Sequence, residues 1–142
     1  MILWRVSDFA SLTGEGGLHV SGRWHMAGTP ILYTAESVAL ALLESLVQFD
    51  DGLDLPPEYQ LLELEAPDPA VVEEWPGDVP SEEESQRWGD AWLKEGRSIL
   101  AKVPAAVAPH SWNWLVNPGH PDAARLRTVK ATRWNWDARL MR

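Results

Sequence analysis

The 142-residue chain contains no cysteine. That excludes a disulfide framework, a thiolate metal site and a thiol nucleophile, and it suits a reducing compartment. Long apolar runs are also missing. Nothing approaches the about 20 residues that a membrane-spanning helix needs. The start, Met1-Ile2-Leu3-Trp4-Arg5, has no basic region leading into an apolar stretch and a small-residue cleavage site, so no signal peptide is expected and the protein is expected to be cytoplasmic, without membrane contact. There is no P-loop, dinucleotide fingerprint or nucleophile elbow. His19, His25, His110 and His120 are scattered, and no pair has metal-ligand spacing, so no metal site is expected.

Charge is distributed unevenly within a net of −9. Residues 1–49 hold two basic and four acidic side chains, residues 50–95 two basic and fifteen acidic, and residues 96–142 eight basic and two acidic. The acidic middle repels phosphate backbones, no helix is basic along one face, and direct nucleic-acid binding is not expected. The basic C-terminal third is either a seat for a phosphate-bearing ligand or solvated surface paired internally with the acidic middle. Nine tryptophans supply large flat surfaces for packing, for stacking on planar ligands or for an interface.

The length fits one domain, residues 1–142. Ile2–Val6 reads as an opening strand, Gly14–Gly17 as a loop, Leu18–Trp24 as extended, Gly28-Thr29-Pro30 as a turn and Ile31–Thr34 as a second strand. Ser37 is a helix N-cap. The following run, Val38–Val47, is apolar nearly all round and is expected to be buried on most sides, ending at Asp50-Asp51-Gly52. Pro56-Pro57 is a loop and Gln60–Leu64 a strand. Residues 66–81, with four prolines, form a surface loop. Ser81 with Glu82-Glu83-Glu84 begins a helix that carries Trp88 and Trp92 one turn apart and stops at Gly96. One or two strands follow over Ser98–Val107, then a turn at Asn117–Pro121 and a final strand over Leu126–Trp134. The irregular mixture of strands and helices, without a βαβ rhythm, indicates an α+β domain.

Three residues stand out chemically. Glu44 lies within the most apolar helix and has no basic residue three or four positions away, so it is either on a solvent-facing stripe or a carboxylate with a task. Arg23, next to Gly22, is either a surface residue or a clamp for phosphate or carboxylate. Tyr33, ending a buried strand, is either a core residue with one hydrogen bond or a ligand contact.

Together, Gly22-Arg23-Trp24-His25, Gly28, Pro30, Tyr33, Ala35 and Glu44 closely resemble the RES family, toxins of type II toxin–antitoxin pairs. Leu3-Trp4-Arg5-Val6 and the stretch from Gly14 to Gly22 extend the resemblance. So do Trp88-Gly89, Trp92-Leu93, Val103-Pro104, Asn113, Leu115, Asn117-Pro118 and His120-Pro121. One departure is Ala105, which stands where the family usually has a serine.

The resemblance implies an ADP-ribosyltransferase-like fold, a mixed central sheet with flanking helices. It implies an enzyme with NAD as substrate and no other cofactor, cleaving the nicotinamide–ribose bond with water or phosphate as acceptor. Alternatives are ADP-ribosylation of a protein, or an impaired relative that acts by binding its antitoxin. In this reading Glu44 faces the oxocarbenium-like ribose and holds its hydroxyls. Arg23 holds the pyrophosphate or an incoming phosphate, Tyr33 the nicotinamide–ribose end, and Arg5 and Asn117 assist in binding. The implied partners are an Xre-type helix-turn-helix antitoxin, through which alone DNA is reached, and a second copy of the chain within the complex.

Overall fold

The structure is a computed structural model that describes residues 1–49, 55–68 and 71–141. Its strands are β1 (Ile2–Val6), β2 (Leu32–Ala35), β3 (Glu58–Glu65), β4 (Glu73–Glu74), β5 (Leu100–Pro104), β6 (Trp112–Val116) and β7 (Arg127–Asn135). They form one sheet in the order β4-β5-β6-β2-β1-β3-β7, antiparallel at every step except β4 against β5. The helices are α1 (Gly16–His19), α2 (Val38–Leu46) and α3 (Glu82–Glu95), with 3₁₀ turns at Pro121–Arg125 and Ala138–Met141. This is the mixed α+β domain expected.

Strand alternation sorts the core onto the two faces of the sheet. Leu3, Leu32, Leu62, Leu64, Leu100 and Val116 form one buried cluster. On the other face α3 lays Trp92 and Leu93 against Ala101, Val103 and Leu115, and α2 lays Leu40 and Ala41 against Ala35 and Ala105. Both helices start as the caps predict. The Ser37 hydroxyl accepts from the Leu40 amide at 3.2 Å. The Ser81 hydroxyl accepts from the Glu84 amide at 3.2 Å, satisfying one of the helix's orphaned donors, and donates to the Glu84 carboxylate at 3.1 Å. Gly96 ends α3 in the left-handed conformation at φ 62°, where glycine avoids the Cβ penalty.

Four sequence expectations change. Leu18–Trp24 is not extended. Local bonds close α1 instead, and a tight turn follows in which the Gly22 amide donates to the His25 carbonyl at 3.0 Å. Helix α2 is not buried on most sides, because only its sheet-facing stripe is covered; Leu43 is 41% and Val47 60% exposed. It ends at Leu46, and the expected stop at Asp50-Asp51-Gly52 lies outside the described residues. Ser98–Val107 holds one strand, β5, within the expectation, but Trp112–Val116, where no strand is expected, forms β6. Within 66–81, Glu73-Glu74 leave the loop to pair beside β5.

The charge asymmetry is met in part between β3 and β7. Their register sets Glu63 opposite Lys130 and Glu65 opposite Arg127, and the Arg127 guanidinium lies 3.1 Å from the Glu65 carboxylate. The basic C-terminal strand thus sits at the sheet edge, paired with acidic neighbours.

Gly89 marks where α3 meets the turn that carries Trp24. A Cβ there would stand 2.8 Å from the Trp24 carbonyl carbon and closer still to its oxygen. Alanine would favour the helix by about 1 kcal/mol, whereas forcing backbone apart in a packed contact costs about 1–3 kcal/mol. Gly89→Ala should therefore unfold at lower denaturant concentration than the parent. A variant of equal or greater stability would show that α3 and the turn separate freely.

Candidate active site

A cleft opens between β1, β2, β6, α2 and the turn at Gly22–His25. It has two confluent lobes of about 420 and 820 Å³. Arg5, Arg23, Tyr33, Glu44, Gln48 and Asn113 line both. Four residues singled out from sequence, Arg5, Arg23, Tyr33 and Glu44, are therefore brought together. Asn117 is not among them. It is buried beyond the far end of β6, where its amide nitrogen donates to the Leu93 carbonyl at 3.2 Å and its oxygen accepts from the Gly119 amide at 3.0 Å. Its polar atoms are used in holding the turn after β6, so it is placed as a structural residue and not as a contact of this cleft. Ala105 does not line the cleft either; it packs with Ala35, Leu40 and Ala41, so a serine there would meet the underside of α2.

Tyr33 is seated by an ordered chain of hydrogen bonds. Its hydroxyl accepts from the Trp24 amide at 3.1 Å and lies 2.7 Å from His25 Nδ1. His25 Nε2 lies 3.1 Å from the Gly17 carbonyl, which only accepts, so Nε2 carries a hydrogen. In the neutral ring Nδ1 then accepts, and the tyrosine hydroxyl donates to it. Burial pushes the Tyr33 pKa well above its ordinary value, with the nearby Asp90 charge adding to the rise and the Trp24 amide opposing it. The phenol stays protonated, as the chain requires. Gly22 makes room: a Cβ there would press on the Tyr33 hydroxyl and lie 2.7 Å from the ring's Cζ.

Arg23 is held from the other side by α3. Its guanidinium Nη2 donates to the Pro80 carbonyl. The Ser85 hydroxyl donates to the Arg23 carbonyl at 2.5 Å, and the Gln86 amide donates to the Gly22 carbonyl at 3.0 Å. Arg5 reaches across to the Tyr33 carbonyl at 3.0 Å through Nη1, and burial lowers its pKa from the ordinary arginine value. In both arginines the Nε–H is buried without a partner. Two guanidiniums with spare donors beside one cleft are suited to an anion rich in oxygen.

Glu44 is half-buried, on the covered edge of α2. Its Oε1 accepts from the Asn113 amide at 2.9 Å. Among the described residues no ion pair joins it to Arg5 or Arg23. The arrangement presents a carboxylate, two arginines and a buried phenol to one volume, and it favours a ligand that is anionic in one part and develops positive charge in another. Sequence reasoning missed Asn113 as a site residue. Asn113 figures in the family resemblance only as a matching position, and a lone asparagine between two tryptophans carries no chemical role by itself, although β6 sets it directly opposite Ala35 of β2. Among the described residues no cluster of three or more metal-ligating side chains occurs, and no helix is long and apolar enough to cross a membrane.

Tyr33→Phe removes the hydroxyl that serves both His25 and the Trp24 amide. Leaving buried partners unsatisfied costs about 1–3 kcal/mol, and a denaturant melt should show a loss of that size. Unchanged stability would mean that the turn is held by α3 alone.

The profile of the RES domain family matches residues 2–137. The chain is 39% identical to Toxin Res of Pseudomonas putida over 99% of both chains. It is 33% identical to the Prs ADP-ribosylating toxin of Sphingobium sp., over 98% of this chain and 96% of that protein. In fold it is similar to the crystal structure of the MbcT–MbcA toxin–antitoxin complex of M. tuberculosis, with a TM-score of 0.71, 20% identity and coverage of 94% of this chain and 84% of that one.

Proposed function

The chain belongs to the RES domain family, and from that premise we propose that it is a toxin that cleaves the nicotinamide–ribose bond of NAD, held in check by an antitoxin. The observation that carries the chemistry is the meeting of Arg5, Arg23, Tyr33 and Glu44 around one cleft. The bond from the ribose C1′ to the nicotinamide nitrogen breaks with its electron pair going to nicotinamide, which leaves neutral, so no strong general acid is needed. The ribose C1′ becomes cationic, and the Glu44 carboxylate stabilises that charge as it develops. Arg5 and Arg23 hold the diphosphate through their free donors. Water adds its oxygen to C1′ and releases a proton, or phosphate adds in its place.

A second acceptor is favoured by one relative. The Sphingobium protein is described as a Prs ADP-ribosylating toxin, so a protein side chain is the competing acceptor of the same ADP-ribosyl group. Ala105 lies outside the cleft lining, which supports an active enzyme over an impaired one. The partner in this reading is an Xre-type helix-turn-helix antitoxin, which alone contacts DNA, with two copies of this chain in the complex. Exposed Phe9, Val20 and Val47 at the cleft rim offer a seat for an occluding segment of that antitoxin.

Incubation of the purified chain with NAD, with and without phosphate, should release nicotinamide. Glu44→Gln should cut that release by on the order of a hundredfold or more while the melting profile stays close to the parent's. Undiminished release would remove Glu44 from the mechanism. Radiolabel from NAD accumulating on a protein rather than on free ADP-ribose would select the transferase reading.

Arginine presents a planar fork to phosphate that lysine does not match. Arg23→Lys should therefore raise the NAD Kd more than it lowers folding stability, a comparison that calorimetry and denaturant melts make directly. Equal NAD affinity in this variant would rule out the clamp.

A further inference from the structure

We infer that Asn113 has two functions in the cleft: its amide nitrogen positions Glu44, and its amide oxygen reads a hydroxyl of the substrate's ribose beside the one Glu44 holds. The inference rests on the NAD-cleaving reading and adds a residue to it. A carboxylate only accepts hydrogen bonds, so the group that faces Glu44 Oε1 at 2.9 Å is the asparagine nitrogen. That leaves Oδ1 as the opposite end of the amide, and this oxygen is buried with no partner. An unpaired buried acceptor costs about 1–3 kcal/mol, a penalty relieved when a ligand brings a donor. Asn113 lines both lobes of the cleft, so a ligand that fills them meets it.

The strand holds this side chain in place. Asn113 pairs with Ala35 of β2 on one side and Val103 of β5 on the other, both fully covered. Its backbone is thereby anchored within the sheet rather than on a loop, and the amide in turn anchors Glu44 on α2. Glu44 and Asn113 are joined through the Asn113 nitrogen, and each contributes an acceptor oxygen to the same cleft wall. The matching ligand group carries two neighbouring hydroxyl donors, as the cis-diol of an unmodified ribose does. A site built around a hydroxyl discriminates strongly against the analogue that lacks it, because its own polar atom is then left unpaired.

The test uses the full chain, with NAD and two analogues in which the 2′- or the 3′-hydroxyl of the nicotinamide ribose is replaced by hydrogen. Nicotinamide release gives kcat and KM, and calorimetry in the Glu44→Gln background gives binding. The parent should prefer NAD to both analogues. Asn113→Ala should lower kcat/KM for NAD by at least about tenfold and abolish the discrimination against one analogue. Asn113→Asp retains an acceptor oxygen and the side-chain volume but replaces the neutral donor to Glu44 with a second carboxyl, which shares a proton with Glu44 or is repelled by it. It should keep the discrimination while losing kcat, which separates positioning from reading and guards against an alanine variant that folds poorly. If Asn113→Ala discriminates as the parent does, the reading role is overturned; if Asn113→Asp retains the parent's kcat, the positioning role is. Failure of the parent itself to release nicotinamide would instead overturn the NAD-cleaving reading.

Discussion

The hydroxyl of Tyr33 joins two parts of the chain that have no sheet pairing with each other. Tyr33 belongs to β2, at the centre of the sheet, whereas Gly22–His25 is a free-standing turn. The bonds from the Trp24 amide to the phenol and from the phenol to His25 dock that turn on the sheet. His25 passes the constraint on to Gly17 of α1. Each partner is satisfied only if the others are in place, so the chain of bonds has one geometry, and its low-dielectric surroundings make a broken link costly. Arg23 owes its position over the cleft to this seat. The glycines follow from it: Gly22 and Gly17 lie where a Cβ would strike the tyrosine ring and the Thr29 carbonyl respectively.

The opposite side of the turn is held by α3, through Ser85, Gln86 and the close contact at Gly89. Trp24, Trp75 and Trp88 reinforce it. Their ring centroids are 5.7–5.8 Å apart and their planes steeply inclined, the edge-to-face arrangement that aromatic quadrupoles favour. These rings are in mutual contact. They tie the acidic loop before α3 to the turn, and so bring the Pro80 carbonyl to Arg23. The unusual tryptophan content is therefore used, in this part of the chain, to assemble the wall of the cleft.

Features that depend on nearest neighbours were legible in the sequence. The caps at Ser37 and Ser81, the stop at Gly96 and the strands read over 2–6, 60–64 and 126–134, each within a residue or two of its observed ends, follow from propensity and local hydrogen bonding. Arg23, Tyr33 and Glu44 were visible as residue types out of keeping with their surroundings. Features that depend on long-range register were not. Asn113 and Asn117 occur four residues apart on or just after the same strand, with equal claims as polar residues in an apolar run. One faces Ala35 and reaches Glu44, and the other turns back to Leu93; only the pairing of β6 with β2 and β5 separates them. The basic C-terminal third likewise had two readings, and only the register shows that Lys130 and Arg127 stand opposite Glu63 and Glu65. The exposure of α2 was hidden because periodicity reports which residues are apolar and not how much of the molecule there is to cover them.

Opposite charges share the cleft without neutralising one another. Arg5 and Arg23 spend donors on backbone carbonyls, Glu44 takes its hydrogen bond from a neutral amide, and among the described residues no salt bridge links them. In a fold optimised for stability alone such groups would pair or be replaced by apolar side chains. Keeping them unpaired leaves guanidinium and carboxylate groups facing the same cleft. The proposed substrate brings a need for each, in its diphosphate and in a ribose that turns cationic. Because the charges are fixed before the ligand arrives, little reorganisation is required as the transition state forms, and that is the condition under which a single carboxylate in a sheltered site contributes most to rate. The chain's net charge of −9 opposes an anionic ligand at long range, but salt screens that repulsion within about 8–10 Å. In the proposed function, capture thus falls to the two arginines at the cleft, and selectivity to the polar atoms that are unpaired there.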